Sequence, residues 1–198
     1  MTHPFEKEIT RHRKAEYSIH PLILNRWSPR SMTGEKIEEA ELFSLFEAAR
    51  FAPSSYNNQP WRFLYAKRET PSWSLFFDLL IDFNKGWVKD AAALVLILSN
   101  TLFERNGKPC HTHSFDTGAA WMSMALEGSS RGYVIHGMEG FDYERARAVL
   151  EIPEKCTIEA MVAIGKRAPT HHLPPDLQSM EIPSSRKRIK EWVKEGKF

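Results

Sequence analysis

Two long segments of the chain carry apolar residues at helical spacing. One runs over residues 35–51, with Thr33 as its expected N-cap, and the other over residues 115–131. In the first segment apolar residues recur every three positions, and further apolar residues widen this stripe. Both segments are predicted to pack deeply. The stripe consists of Ile37, Ala40, Phe43 and Phe46, widened by Leu42, Leu45 and Ala49.

Shorter patterns predict the rest of the secondary structure. The continuous apolar run at residues 91–98 is typical of a strand that is covered on both faces. Further strands are predicted at residues 61–66, 133–135 and 158–164, and shorter helices at 19–26, 71–83 and 142–150. These elements predict an α+β fold with a central mixed or antiparallel sheet flanked by helices.

The domain organisation follows from length and composition. A chain of 198 residues with 42% apolar and 26% charged residues fits one globular domain over residues 1–198. Within it, residues 1–17 are expected to form a frayed arm or a first helix. Residues 169–198 are expected to form a basic C-terminal extension.

Several function classes are not indicated. The net charge is +2, which predicts no nucleic-acid or membrane partner, and the longest apolar run is far below the ~20 residues that span a bilayer. An apolar leader is absent and the chain has 2 cysteines, so a reduced, cytoplasmic protein is expected. The histidine spacings predict no metal site, and motifs for a Rossmann site, a P-loop or a hydrolase elbow are missing from the sequence.

The segment Arg26-Trp-Ser-Pro-Arg30 is the first candidate for chemistry. Pro29 favours extended geometry at Ser28, and alternate residues of an extended segment face the same side. Two guanidiniums and a hydroxyl would then suit a phosphate dianion. On spacing alone, a surface turn with exposed arginines is the favoured interpretation, because this spacing is common in exposed loops.

The second candidate is the loop from Ala52 to Trp61, Ala-Pro-Ser-Ser-Tyr-Asn-Asn-Gln-Pro-Trp. It is dense in small donors and acceptors and is bounded by two prolines. Ordering so many polar groups requires partners, which are either its own backbone turns or a ligand.

Together these motifs resemble the nitroreductase-like family of flavoproteins. The resemblance continues in Asp116-x-Gly-Ala-Ala120, in Gly137-Met-Glu-Gly-Phe-Asp142 and in Ala163-Ile-Gly-Lys166. It implies an intertwined homodimer that binds FMN non-covalently at its interface, with the C-terminal extension packing on the partner subunit.

The resemblance also implies roles for individual residues. Arg26, Ser28 and Arg30 would hold the FMN phosphate beside Trp27, with help from Arg186 and Arg188. The loop would reach the partner's flavin through Pro53, Ser54, Ser55 and Asn57, while Gln59 braces it. The flavin ring would meet the Asn84 amide and the backbone of Glu139 and Gly140.

One position departs from the family pattern. Trp87 stands where many members carry a lysine near the pyrimidine edge of the flavin. Either Lys85 or Lys89 substitutes for that lysine, or Trp87 roofs the pocket. His136 and Met138 are expected either to line the pocket or to pack in the core.

The implied activity is an FMN-dependent oxidoreduction. NAD(P)H would deliver a hydride to flavin N5 and leave before a small electron acceptor, such as a nitroaromatic or a quinone, is reduced in a ping-pong cycle. Catalysis would then need no side-chain nucleophile. The alternatives are a flavin-binding sensor or carrier, and a branch that destroys flavin or removes halogen.

Overall fold

A four-stranded antiparallel sheet forms the centre of the protein. The computed structural model describes residues 4–197. The strands are β1 (Trp61–Lys67), β2 (Ala93–Asn100), β3 (Tyr133–Met138) and β4 (Cys156–Lys166), and their order in the sheet is β1-β2-β4-β3. Every pairing is antiparallel, so the α+β expectation is confirmed and the sheet has no parallel pair among these strands.

Strand β2 is covered on both faces, as its apolar run predicts. Its side chains alternate between two hydrophobic clusters: Leu94 and Leu96 face one, and Val95 and Ile97 face the other. A strand that buries both faces needs apolar residues at every position, because successive side chains point to opposite sides.

Eight α-helices occur within residues 4–197, and two of them build one layer on the sheet. They are α1 (Glu6–Ile9), α2 (Pro21–Asn25), α3 (Glu39–Arg50), α4 (Ser72–Phe77), α5 (Asp82–Val88), α6 (His113–Ser130), α7 (Tyr143–Val149) and α8 (Pro175–Gln178). The long helices α3 and α6 pack on each other, with Leu42 and Leu45 meeting Ala120 and Met124 in one cluster. The deep packing predicted for both helices is confirmed.

The predicted start of the first long helix is wrong. Helix α3 begins at Glu39, and Thr33 does not cap it. The Thr33 N–H instead donates to the Lys166 carbonyl, 3.0 Å away, and the Gly34 N–H donates to the Asp90 carbonyl at 3.1 Å. These bonds hold residues 33–34 against the ends of β4 and α5, so the chain cannot coil there. The side chain of Phe43, predicted for the buried stripe, is nearly half exposed.

The single helix predicted over residues 71–83 is also wrong. The segment forms α4 and the start of α5, with a break between them. At the break, Leu80 forms a bridge with Phe141, and the Ile81 N–H donates to the Gly140 carbonyl at 3.2 Å. The 137–142 turn therefore bonds to backbone groups of residues 80 and 81 that a continuous helix would have used internally. These bonds fix the turn next to α5.

The two ends of the chain contact each other. After residue 169 the chain forms short 3₁₀ turns and α8. The Arg13 Nε donates to the Ser184 carbonyl at 2.9 Å, and Arg188 lies 3.7 Å from Glu16. Packing of this extension on a partner subunit therefore stays a prediction, and residues 1–3 lie outside the described part of the chain. Within residues 4–197 no helix is long and apolar enough to cross a membrane.

Candidate active site

Four arginines from three segments of the chain line one cavity. Arg26 and Arg30 come from the segment after α2, Arg186 from the C-terminal extension and Arg13 from the N-terminal arm, which we define as residues 4–17. We call this cavity, of about 310 Å³, the arginine pocket. Its other lining residues are Trp27, Ser28, His136, Met180, Ile182 and Ser184.

The backbone after α2 turns extended where the sequence predicts it. Helix α2 ends at Asn25, and Arg26 has ψ of 123°. The buried carboxylate of Glu181 then holds the segment, because it accepts hydrogen bonds of 2.9–3.0 Å from the N–H groups of Arg30 and Ser31. Arg26, Ser28 and Arg30 consequently line the same cavity, as alternate residues of an extended segment should.

The positive charge of the arginine pocket is not compensated by acidic side chains. Within residues 4–197, none of its four guanidiniums lies within 4.0 Å of a carboxylate. Burial and the neighbouring charge of Arg186 lower the pKa of Arg26. Because uncompensated guanidiniums repel one another in a partly buried site, this donor set suits a doubly charged anion such as a phosphate ester.

His136 connects the arginine pocket to the rest of the site. Its Nδ1 lies 2.9 Å from the Pro29 carbonyl oxygen. A carbonyl can only accept, so Nδ1 carries the proton and Nε2 keeps a free lone pair. Burial, together with the charges of Arg30 and Arg26, lowers the pKa of His136 to about 4, against the opposing effect of the hydrogen bonds to the Pro29 and Ser28 backbone.

A chain of contacts leads from His136 to the 137–142 turn. The His136 ring packs on Trp87, with 4.6 Å between ring centroids. The Trp87 indole N–H donates to Asn84 Oδ1 at 3.2 Å, and Asn84 Nδ2 donates to the Gly140 carbonyl at 2.9 Å. The turn approaches so closely that a Cβ on Gly140 would lie 2.5 Å from Asn84 Nδ2.

This contact chain changes the interpretation of two predicted residues. Trp87 is 1% exposed and packs on His136, so its side chain offers almost no surface to a ligand in this protomer. Asn84 is buried and uses one amide hydrogen and one lone pair within the protein, which leaves one of each for a ligand. Lys85 lies 3.8 Å from Asp82, and Lys89 is exposed.

The polar loop at residues 53–59 lies on a different cavity, of about 340 Å³. The buried carboxylate of Asp116 on α6 accepts from the Ser55 N–H and the Thr112 hydroxyl, both at 3.0 Å. Ser54 Oγ accepts from the Gln59 N–H at 3.0 Å, and Gln59 Nε2 donates to the Asn57 carbonyl at 3.2 Å, so Gln59 does brace the loop. The Asn57 side chain and Pro53 are exposed.

The loop has an unusual backbone. Tyr56, Asn57 and Gln59 have φ of 51°, 53° and 48°, in the left-handed region that non-glycine residues rarely adopt. Such conformations persist when surrounding bonds fix them, and they are frequent at ligand sites. Here Asp116 and the internal bonds of the loop fix the backbone.

Not every predicted cofactor residue joins the arginine pocket. Arg188 lines a separate cavity and lies 3.7 Å from Glu16, so the structure does not bring it together with Arg26 and Arg30 within one chain. Trp27 does line the pocket, yet its ring is buried against Phe5 and Ile9. It therefore contributes mainly to the shape of the pocket. Glu139 is exposed at the turn.

The sequence interpretation missed Arg13. The run Arg11-His-Arg-Lys14 has the composition of a solvated surface, but Phe5, Ile9 and Arg13 recur every four residues. That spacing puts all three on one face of a helical turn. Since Phe5 and Ile9 are buried, the spacing is a signal that Arg13 points the same way.

Comparisons with known proteins agree with the family resemblance of the sequence. The family model described as "Nitroreductase family" matches residues 23–71. A crystal structure of an oxidoreductase containing FMN is 41% identical to this chain, with a TM-score of 0.89 and coverage of 94% of this chain and 96% of that protein.

Two more distant relatives cover most of the chain. A protein of Thermus thermophilus named "NADH dehydrogenase" is 27% identical, over 76% of this chain and 89% of its own length. A nitroreductase family protein from Clostridium difficile 630 shares the fold at 19% identity, with a TM-score of 0.68 and coverage of 89% and 97%. The chain belongs to the nitroreductase family.

Proposed function

We propose that this chain is an FMN-dependent oxidoreductase that uses NADH or NADPH to reduce small electrophilic acceptors such as nitroaromatics or quinones. The observation that carries the proposal is the arginine pocket, in which Arg13, Arg26, Arg30 and Arg186 surround one cavity without an acidic partner among residues 4–197. The FMN content of the 41% identical relative and the name of the Thermus protein support it.

The residues of the pocket fit the phosphate end of FMN. Arg26, Arg30 and Arg186 would donate to the phosphate oxygens, and a planar guanidinium can donate two parallel bonds to such a group. The Ser28 hydroxyl accepts from Arg26 Nη1 at 3.3 Å, so it orients that guanidinium and keeps its own hydrogen for the ligand. The protein would thereby hold the coenzyme without a covalent bond.

The ring end of FMN would lie along the contact chain from His136 to Gly140. FMN, when bound, supplies the hydride acceptance and donation that no side chain of this protein offers. The remaining amide hydrogen and lone pair of Asn84 would hydrogen-bond the pyrimidine edge. The backbone of Glu139 and Gly140 would approach the ring beside Asn84, where only a residue without a Cβ fits next to Asn84 and Ile81.

The substitution of tryptophan for lysine at position 87 affects how the reduced ring is stabilised. Because His136 is neutral and Trp87 is buried, neither side chain would offer a full positive charge to the bound ring. The arginines and the Asn84 amide would then provide the electrostatic stabilisation. This arrangement favours hydrogen bonding over a local cation as the means of tuning the ring.

We also propose that the working unit is a homodimer. The loop at residues 53–59 lines a cavity of its own, and its role as a flavin contact requires a second copy of the chain. Phe51, Tyr56 and Phe115 are 75%, 76% and 82% exposed around the loop and the start of α6. Large apolar side chains grouped in this way are typical of an interface.

Anaerobic titration of the FMN-loaded protein with NADH and with NADPH tests the proposed activity. Rapid loss of the flavin absorbance with either donor, followed by its return when a quinone is added, is the expected result. The ping-pong order is supported if reduction of the flavin by the nicotinamide and its reoxidation by the quinone each proceed when they are run in separate mixing steps. A protein that binds FMN but is not reduced by either donor is a carrier or sensor, and the oxidoreductase proposal would be wrong.

A further inference from the structure

We propose that Arg13 is a ligand-binding residue of the arginine pocket, and that the N-terminal arm is a strap whose docking is coupled to the binding of a phosphate-bearing ligand. The inference rests on the proposed function in taking FMN as that ligand. It goes further in assigning a binding role to the arm, for which the family resemblance implies none.

The arm is docked by apolar and ionic contacts. Phe5 and Ile9 pack against Trp27, and all three side chains are at most 5% exposed. The Glu8 carboxylate lies 2.7 Å from Arg167, whose guanidinium also faces the Trp27 ring at 5.4 Å. The arm therefore covers the back of the segment that carries Arg26 and Arg30.

A helical turn carries Arg13 from these contacts into the pocket. The Arg13 N–H donates to the Ile9 carbonyl at 2.9 Å, which continues the turn of α1. Because side chains four residues apart lie on one face, Arg13 follows Phe5 and Ile9 toward the protein. Apolar burial of the arm thus fixes where its charge is placed.

The Arg13 guanidinium joins the two segments that supply the other arginines. Its Nη1 donates to the Arg26 carbonyl at 2.9 Å, and its Nε donates to the Ser184 carbonyl at 2.9 Å. Ser184 Oγ in turn accepts from Arg186 Nη1 at 2.9 Å. Nη2 of Arg13 has no hydrogen-bond partner within residues 4–197 and remains able to donate to a ligand.

Electrostatics couples this arrangement to an anion. Burial, together with the charges of Arg186 and Arg26, lowers the pKa of Arg13 to about 10. The docked arm therefore brings a like charge into an already positive cavity, which opposes docking while no anion is present. When a phosphate dianion is bound, the charge of Arg13 favours docking of the arm instead of opposing it. By thermodynamic linkage, the docked arm then strengthens ligand binding by the same free energy by which the ligand stabilises the docked arm.

The position of Arg13 makes its effect specific for phosphate. Its contacts are with the carbonyls of Arg26 and Ser184, whereas the ring end of the site lies beyond His136, at Asn84 and Gly140. Loss of the Arg13 charge should therefore weaken a ligand that carries phosphate and spare the same ring system without it.

A pair of matched variants tests this assignment. Arg13→Met keeps the length of the side chain and removes its charge, and Arg11→Met does the same at an exposed position on the same arm. FMN and riboflavin are titrated into each protein, and binding is followed by flavin fluorescence. We expect Arg13→Met to weaken FMN roughly 10- to 100-fold, the effect of losing charge-assisted hydrogen bonds, and to change riboflavin affinity less than about twofold. Arg11→Met should change neither affinity.

Tryptic cleavage after Lys14 measures the docking of the arm directly. FMN or inorganic phosphate should slow cleavage of the wild type and of Arg11→Met, and should not slow cleavage of Arg13→Met. Equal losses of FMN and riboflavin affinity would reduce Arg13 to a structural residue and overturn the assignment. Unchanged FMN affinity, or cleavage that no anion slows, would overturn it as well.

The same experiments separate this inference from the proposed function. If the wild type binds no FMN, the proposed function fails, and the inference is then decided by inorganic phosphate alone. If phosphate slows tryptic cleavage of the wild type but not of Arg13→Met, the assignment of the arm as a strap is supported. If phosphate slows cleavage of neither protein, the assignment is overturned.

Discussion

The His136 Nδ1 lies 2.9 Å from the Pro29 carbonyl oxygen, and this hydrogen bond joins the two halves of the candidate site. On one side is the extended segment that carries the pocket arginines. On the other is the buried sequence of contacts through Trp87 and Asn84 to Gly140. Because the acceptor is a carbonyl, the bond also fixes the tautomer of the histidine.

The first prediction concerns the pH dependence of stability. The pKa of His136 falls from 6.5 to about 4 on folding, so the unfolded chain takes up a proton before the folded protein does. The contribution of His136 is complete above pH ~6.5, is lost as the pH falls toward ~4, and amounts to at most about 3 kcal/mol. His136→Asn, which retains a donor for Pro29, should lose less stability over that interval. Urea unfolding at a series of pH values measures both slopes, and parallel slopes would refute the prediction.

The second prediction concerns the pocket arginines. Arg26→Ala combined with Arg30→Ala should weaken FMN binding by about 100-fold or more, because several charge-assisted hydrogen bonds are lost. The fold should persist, since neither guanidinium pairs with a carboxylate within residues 4–197. Arg50→Ala is the control, because Arg50 pairs with Glu47 on α3 and lines no part of the arginine pocket. Unchanged FMN affinity in the double variant would remove the phosphate assignment.

The third prediction concerns Asn84. Replacement by alanine leaves the buried Trp87 N–H without its present partner, whereas the Gly140 carbonyl keeps its bond from the Ile81 N–H. One unsatisfied buried group costs about 1–3 kcal/mol, so the free energy of unfolding of the ligand-free protein should fall by about that amount. Asp82→Ala, at an exposed position on the same helix, should have little effect. Equal stabilities for the two variants would contradict the bracing role of Asn84.

The fourth prediction concerns the anchor of the polar loop. Asp116→Ala removes the acceptor for the Ser55 N–H and the Thr112 hydroxyl. The left-handed residues of the loop should then relax, and amide hydrogen exchange at residues 55–59 should become faster while exchange in β2 stays unchanged. Asp116→Asn keeps an acceptor and should give an intermediate rate. Exchange that is unaffected in both variants would show that the loop is fixed by its own bonds alone.

Where neighbouring residues alone decide the secondary structure, the sequence pattern predicted it correctly. The apolar run of β2 and the helical patterns of α6 and α7 predicted these elements. The start of α3 and the break between α4 and α5 did not follow, because distant backbone groups decide both. The Lys166 and Asp90 carbonyls hold residues 33–34, and the Gly140 carbonyl takes the Ile81 N–H.

Some residues of the candidate site could likewise be predicted from local sequence rules, and others could not. The shared orientation of Arg26, Ser28 and Arg30 could be predicted from two local rules. Residues before proline favour extended geometry, and alternate residues of an extended chain face the same side. Arg13 and the Arg188–Glu16 pair depend on how the two ends of the chain pack together. A charge run seen in isolation does not reveal which of its members turns inward.

Retention of FMN by the wild-type protein tests the proposed FMN site most directly. The purified protein is mixed with excess FMN or with excess riboflavin, freed of unbound flavin by gel filtration, and examined by absorbance. We expect a yellow protein that keeps about one FMN per chain and much less riboflavin, because the pocket arginines bind the phosphate. A colourless protein, or equal retention of FMN and riboflavin, would contradict it.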